Sequence, residues 1–141
     1  MQKSTDELLK ILKQKKTYSE FLNQEFSELF FSSASEYLEI LLKEKGIRKS
    51  EAINKSNIDK NYAYQIFNGI KKNPSRNKII MLAFGMSLTI EETQKLLKIC
   101  SLSELYVRNP RDTIILFCLN SKKSIIEANE ILSEFNLEIL E

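Results

Sequence analysis

Lys60, Asn61, Tyr64, Gln65 and Asn68 recur at spacings of one, three and four, so on a helix they share one outward side. Ammonium, carboxamide and phenol groups supply donors and acceptors there, and no carboxylate interrupts them. Such a face can hydrogen-bond to an anionic partner that displays its own pattern of donors and acceptors. Ala63 and Ile66 are three apart and fall on the opposite side, which should point into the protein.

The elements around this face are legible in the chain. Residues 49–69, KSEAINKSNIDKNYAYQIFNG, predict a helix over 49–55, a tight turn and a second helix over 60–68. Asn57 suits the left-handed residue that ends the first helix. Ile58 re-enters the core, and the Asp59 carboxylate can accept the orphan amide protons of the next first turn. Gly69 stops the second helix, and the basic loop IKKNPSRNK follows. This is the layout of a helix-turn-helix, whose second helix can lie in the DNA major groove.

Charge is concentrated in the same place. Residues 43–78 hold ten Lys/Arg and three acids, a net +7, against a net −5 for the remainder and +2 overall. A basic stretch of this kind supplies sequence-independent affinity for nucleic acid through counterion release.

Residues 36–98 resemble the Cro/cI-like (XRE-type) DNA-binding repressors. The resemblance rests on KEKGI (Lys43–Ile47), SEAI, the NI-D turn, AYQIFNG and the continuation NPSRNKIIMLAFGMSLTIEE. It implies an all-α fold: a five-helix domain with helices over 76–84 and 90–100 after the recognition helix, acting as a dimer on a two-fold operator. The chain departs from the family at Arg48, where Ser or Thr often caps the second helix, and at Lys49, where Gln often bonds a phosphate. A third departure is Ile53 facing Ala63, a swap of large and small residues that keeps the volume between the helices. Carried over by position, Lys60, Asn61 and Gln65 would meet base edges. Asn and Gln pair with adenine, and Lys donates to guanine. Tyr64 and Asn68 would touch phosphate or sugar at the groove edge. Arg48, Lys49, Lys71, Lys72 and Ser75 would grip the backbone, helped by the amides after Pro74. Tyr62 is expected to pack over the domain, and Phe67 to be buried.

Further helices are expected over 5–16, 18–31, 34–45, 111–120 and 125–135. Thr17/Glu20, Ser33/Glu36, Thr89/Glu92 and Ser124/Glu127 have capping-box spacing. No internal repeat is apparent, and Gly46, Gly69 and Gly85 each read as helix stops. The expected organisation is an N-terminal helical extension (1–33), a DNA-binding domain (34–102) and a C-terminal helical hairpin (103–141). The extension needs cover for Leu8, Leu9, Leu12, Phe21, Leu22, Phe26, Leu29 and Phe30. The hairpin, with IILFCL at 114–119, is expected to pack on helix 90–100 and to carry a dimer contact. Arg108 and Arg111 suggest either an anion site or, as the reading preferred, a salt bridge to Asp112 or Glu104, with Asn109 capping the helix begun by Pro110.

The chain has no histidine and two cysteines, Cys100 and Cys118, expected to be buried thiols. No phosphate-cradling glycine loop occurs. An enzyme, a cofactor and a metal are therefore not expected. No long apolar run or secretory signal is seen, so a soluble cytoplasmic protein with no membrane association is expected. Double-stranded DNA and a second copy of the chain are the expected partners. The other reading is an antitoxin or adaptor that holds a protein through its N-terminal helices or C-terminal hairpin.

Overall fold

Side-chain caps and left-handed residues fix most helix boundaries in this protein. The structure, a computed structural model, describes residues 4–14 and 33–141. The expected helix 18–31, the Thr17/Glu20 pair and the five aromatic and leucine side chains at 21–30 lie outside the described residues. The described residues form eight helices and no strand. The chain divides into two compact units, Met1–Ser33 and Ala34–Glu141. The first contains α1 (Thr5–Gln14), which starts where the Ser4 hydroxyl accepts the Glu7 amide at 3.1 Å. Leu9 and Leu12 on α1 are exposed.

The second unit contains α2 (Ala34–Lys45), α3 (Lys49–Ser56), α4 (Lys60–Phe67), α5 (Arg76–Gly85), α6 (Ile90–Ile99), α7 (Pro110–Asn120) and α8 (Ile125–Glu134). Asn57 takes the left-handed conformation (φ 61°) and the Asp59 carboxylate accepts the Tyr62 amide, as expected for the turn between α3 and α4. Asn109 caps α7 with Pro110 in its first turn, and both Thr89/Glu92 and Ser124/Glu127 close reciprocal capping boxes.

Helix α5 is the hub. Ile79 through Phe84 are all buried, so it is covered all round. It packs on α3, α6 and α8. Gly85 is the last residue of α5, as expected of a helix stop, and the left-handed residue beyond it is Ser87, at φ 53°. A Cβ on Gly85 would stand 2.3 Å from the Ala52 carbonyl oxygen and 2.9 Å from Ser56 Cβ. Glycine is required here because the α3 and α5 backbones touch.

The expectation of no internal repeat is overturned. Residues 74–105 and 109–140 are two copies of one helical hairpin, offset by 35 positions. Eight of the 32 paired residues are identical: Arg76/Arg111, Ile79/Ile114, Ile80/Ile115, Ile90/Ile125, Glu92/Glu127, Leu97/Leu132, Leu102/Leu137 and Leu105/Leu140. Local geometry repeats more faithfully than identity. The left-handed residues Ser87 and Ser101 match Lys122 and Asn136. Gln94 holds both backbone groups of Leu105 at 2.7 and 2.8 Å, and Asn129 holds those of Leu140 at 2.7 and 2.9 Å. Arg76 donates to the carbonyls of Ser103 and Glu104, and Arg111 to those of Glu138 and Ile139.

Contacts between the copies are reciprocal. Arg76 reaches Asp112 in the second copy, and Arg111 reaches Asn77, the counterpart of Asp112, in the first. Helix α5 packs on α8 and α6 on α7. Residue i meeting j while j's equivalent meets i's equivalent is the pattern of a two-fold pair, here within one chain. The four helices form a ring in which each packs on the next and α8 returns to α5. The C-terminal hairpin is thus part of the same packed unit as α5 and α6. Asp112 is paired with Arg76 rather than with Arg108 or Arg111.

Candidate nucleic-acid interface

Helix α4 presents the polar face from a fixed mount. Ala63, Ile66 and Phe67 are buried at its back. The Ser35 hydroxyl on α2 donates to the Phe67 carbonyl, satisfying one of the orphan acceptors at the helix end. Gly69 (φ 77°) then turns the chain, and the Gln65 carbonyl accepts the Ile70 and Lys71 amides at 2.9 and 3.0 Å.

On the outer side Lys60, Asn61, Gln65 and Asn68 are exposed, and Tyr64 is half-buried. The helix ends at Phe67, so Asn68 is its cap residue rather than its last turn. Arg48, Lys71, Lys72 and Ser75 are exposed as well. Arg48 stands at the α3 N-cap, where its side chain makes no capping bond. Ser75 is the N-cap of α5, its hydroxyl accepting the Lys78 amide at 3.3 Å. That leaves the hydroxyl proton to donate elsewhere, while the Ser75 amide is already used.

Three of the ten basic residues at 43–78 form ion pairs among the described residues. Lys49 pairs with Glu39 at 2.6 Å and stands 5.5 Å from the Phe67 ring centre, Lys45 pairs with Glu92 at 2.9 Å, and Arg76 is clamped by Asp112. Lys49 was expected to bind a phosphate. Its charge is instead shared with Glu39 beside the C-terminal end of α4, where a cation also complements the helix dipole.

Sequence reasoning missed a second role for Tyr62. Its hydroxyl accepts the Ser75 amide at 3.3 Å, and Lys71 and Lys78 stand 5.2 and 5.7 Å from its ring centre. The ring gathers two ammonium groups beside the start of α5, a ten-residue helix whose N-terminus is electropositive. Lys78 is thereby held beside Lys71. The spacing of Tyr62 to the basic loop gives no signal for this, because the contact depends on how that loop folds back over α4.

Comparison of the chain with protein-family models, with curated proteins and with solved structures found no match. The site is therefore judged on its own chemistry: an acid-free face of amides and an ammonium, flanked by a basic loop, on a helix anchored from behind. Among the described residues no helix is long and apolar enough to cross a membrane, and no group of His, Cys, Asp or Glu could hold a metal ion.

Proposed function

We propose that this protein is a sequence-specific double-stranded DNA-binding regulator of the Cro/cI-like helix-turn-helix type, acting as a dimeric repressor without catalytic activity. The observation that carries this reading is the exposed face of α4. In it Lys60, Asn61 and Gln65 are open to a partner, while Ala63, Ile66 and Phe67 lock the helix in place. Asn61 and Gln65 read adenine through paired hydrogen bonds, and Lys60 donates to guanine. Tyr64, Asn68, Arg48, Lys71, Lys72, Lys78 and Ser75 contact phosphate and sugar, with Lys49 a weaker contributor because Glu39 shares its charge. The helices α2 to α6 play the part of the five-helix domain.

The test is a selection of genomic fragments bound by the purified protein at near-physiological salt, with the Asn61→Ala/Gln65→Ala protein beside it. A palindromic site bound two chains to one duplex is expected. Each alanine should cost about 1–3 kcal/mol on that site and relax preference at one base pair. Salt-sensitive binding with no preference, unchanged by the two substitutions, would overturn the proposal.

A further inference from the structure

The internal duplication shows what one face of the second hairpin is built to do. In the first hairpin the outer face carries two helices. Helix α3 lies on α5, with Ala52 against Gly85, and α2 lies on α6. The α2 contact includes the Lys45–Glu92 pair at 2.9 Å and Lys95 at 5.1 Å from the Tyr37 ring centre. Positions 82 and 85 of α5 and 92 and 95 of α6 therefore share one covered face.

The two hairpins match in the capping boxes of α6 and α8, in their left-handed residues and in their backbone clamps, so positions 35 further on share a face too. Those positions are Phe117 and Asn120 on α7 and Glu127 and Glu130 on α8. No helix among the described residues covers them as α2 and α3 cover the first copy. Leu82 is 0% exposed; its counterpart Phe117 is 59% exposed. Phe117 is a large apolar side chain at a position that the fold otherwise uses to seat a helix.

The differences between the copies state what would sit there. Gly85 becomes Asn120, so an incoming backbone cannot approach as closely as that of α3, and the larger Phe117 spans the wider gap. Lys95 becomes Glu130 and Ile99 becomes Glu134. With Glu127 these make an exposed acidic row at spacings of three and four, and no Lys or Arg follows Lys123. A cleft of about 500 Å³ on α8 is lined by Glu130, Ile131, Ser133 and Glu134. In the first copy Glu92, the match of Glu127, is met by a lysine from the covering helix.

We propose that the outer face of the second hairpin, centred on Phe117 and rimmed by Glu127, Glu130 and Glu134, docks a lysine-bearing amphipathic helix of a partner protein. The helix sets an apolar stripe against Phe117 and its lysines against the three carboxylates, as Lys45 does against Glu92. This surface shares no residue with the α4 interface, so it stands or falls independently of DNA binding.

A synthetic amphipathic helix of leucines and lysines, fluorescently labelled, serves as the probe, with a leucine–glutamate counterpart as control. Binding to the full chain is read by anisotropy at near-physiological salt, and hydrogen exchange locates the protected residues. The lysine helix is expected to bind and to protect α7 and α8. Phe117→Glu and, separately, Glu130→Lys/Glu134→Lys should each weaken it about tenfold while DNA binding is kept. Both alter exposed positions, so an unchanged thermal melt is expected, and either variant tests the surface if the other unfolds. Equal binding by wild type and both variants, or equal binding of the glutamate helix, would overturn the proposal. So would self-association of the chain that Phe117→Glu abolishes, since the face would then belong to a second copy.

Discussion

Single residues decide the outcome at two places. Gly85 is the tightest contact between backbones in the second unit that a glycine records, with the Ala52 oxygen 2.3 Å from where a Cβ would stand. Backbone cannot swing aside as a side-chain end can, so Gly85→Ala is expected to destabilise the protein by about 3 kcal/mol or more in a denaturant titration. Tyr62 acts on the basic loop. Tyr62→Phe keeps the ring under Lys71 and Lys78 but removes the acceptor for the Ser75 amide. Fluorescence titration against specific and unrelated duplexes should show about five-fold weaker binding to both, the equivalent of about one hydrogen bond. Base preference should not change. At this scale the sequence was informative where chemistry is local. Asn57 and Asp59 declare their roles because a left-handed turn and an N-cap each involve only neighbours in the chain. Gly85 was legible as a helix end but not as a crossing point, because its contact with α3 lies between distant segments. A basic residue such as Arg76 looks like part of a DNA-binding patch until the fold brings Asp112 to it, 36 residues on.

At the scale of elements, the capping boxes carry charge into the helix starts. Burial alone would raise the Glu92 carboxyl, but the Thr89 amide, Lys45 and the Thr89 hydroxyl outweigh it and hold it below its ordinary value of 4.5. A lowered folded value means the contribution is fully present above about pH 4.5 and is lost as pH falls through that lower value. The thermal midpoint of Glu92→Gln should accordingly lie below that of wild type near neutrality, and the difference should narrow as pH falls below about 4.5. Helix positions were legible in the sequence to within a residue or two, as α5 to α8 illustrate. The duplication is faint in the sequence, eight identities over 32 positions. What the copies share most closely is conformation at Ser87 and Lys122, and at Ser101 and Asn136, where the residue types differ. Left-handed geometry survives such changes when the surrounding turn enforces it, so no spelling in the sequence marks it. The polar face of α4 was visible because it follows from helical spacing; the neutralisation of Lys49 by Glu39 was not, because α2 supplies the partner.

For the whole molecule, the feature with the widest reach is the reciprocal pair of arginine clamps. Asp112 is buried, accepts two bonds from Arg76 at 2.9 and 3.1 Å and also receives the Tyr106 amide. Removing it leaves a partly buried guanidinium and an amide without their acceptor. Asp112→Ala should cost about 3 kcal/mol by denaturant titration, with the loss appearing in the α2–α4 region as well as in the hairpin when followed by hydrogen exchange. The same clamps bear on how the chain folds. Consecutive helices are neighbours, so each hairpin can form early from local contacts. Yet Arg76 is complete only when Asp112 arrives, and Arg111 only when Asn77 does. Each half therefore waits for the other, and the two hairpins should pass through one shared kinetic barrier despite their separate origins in the chain.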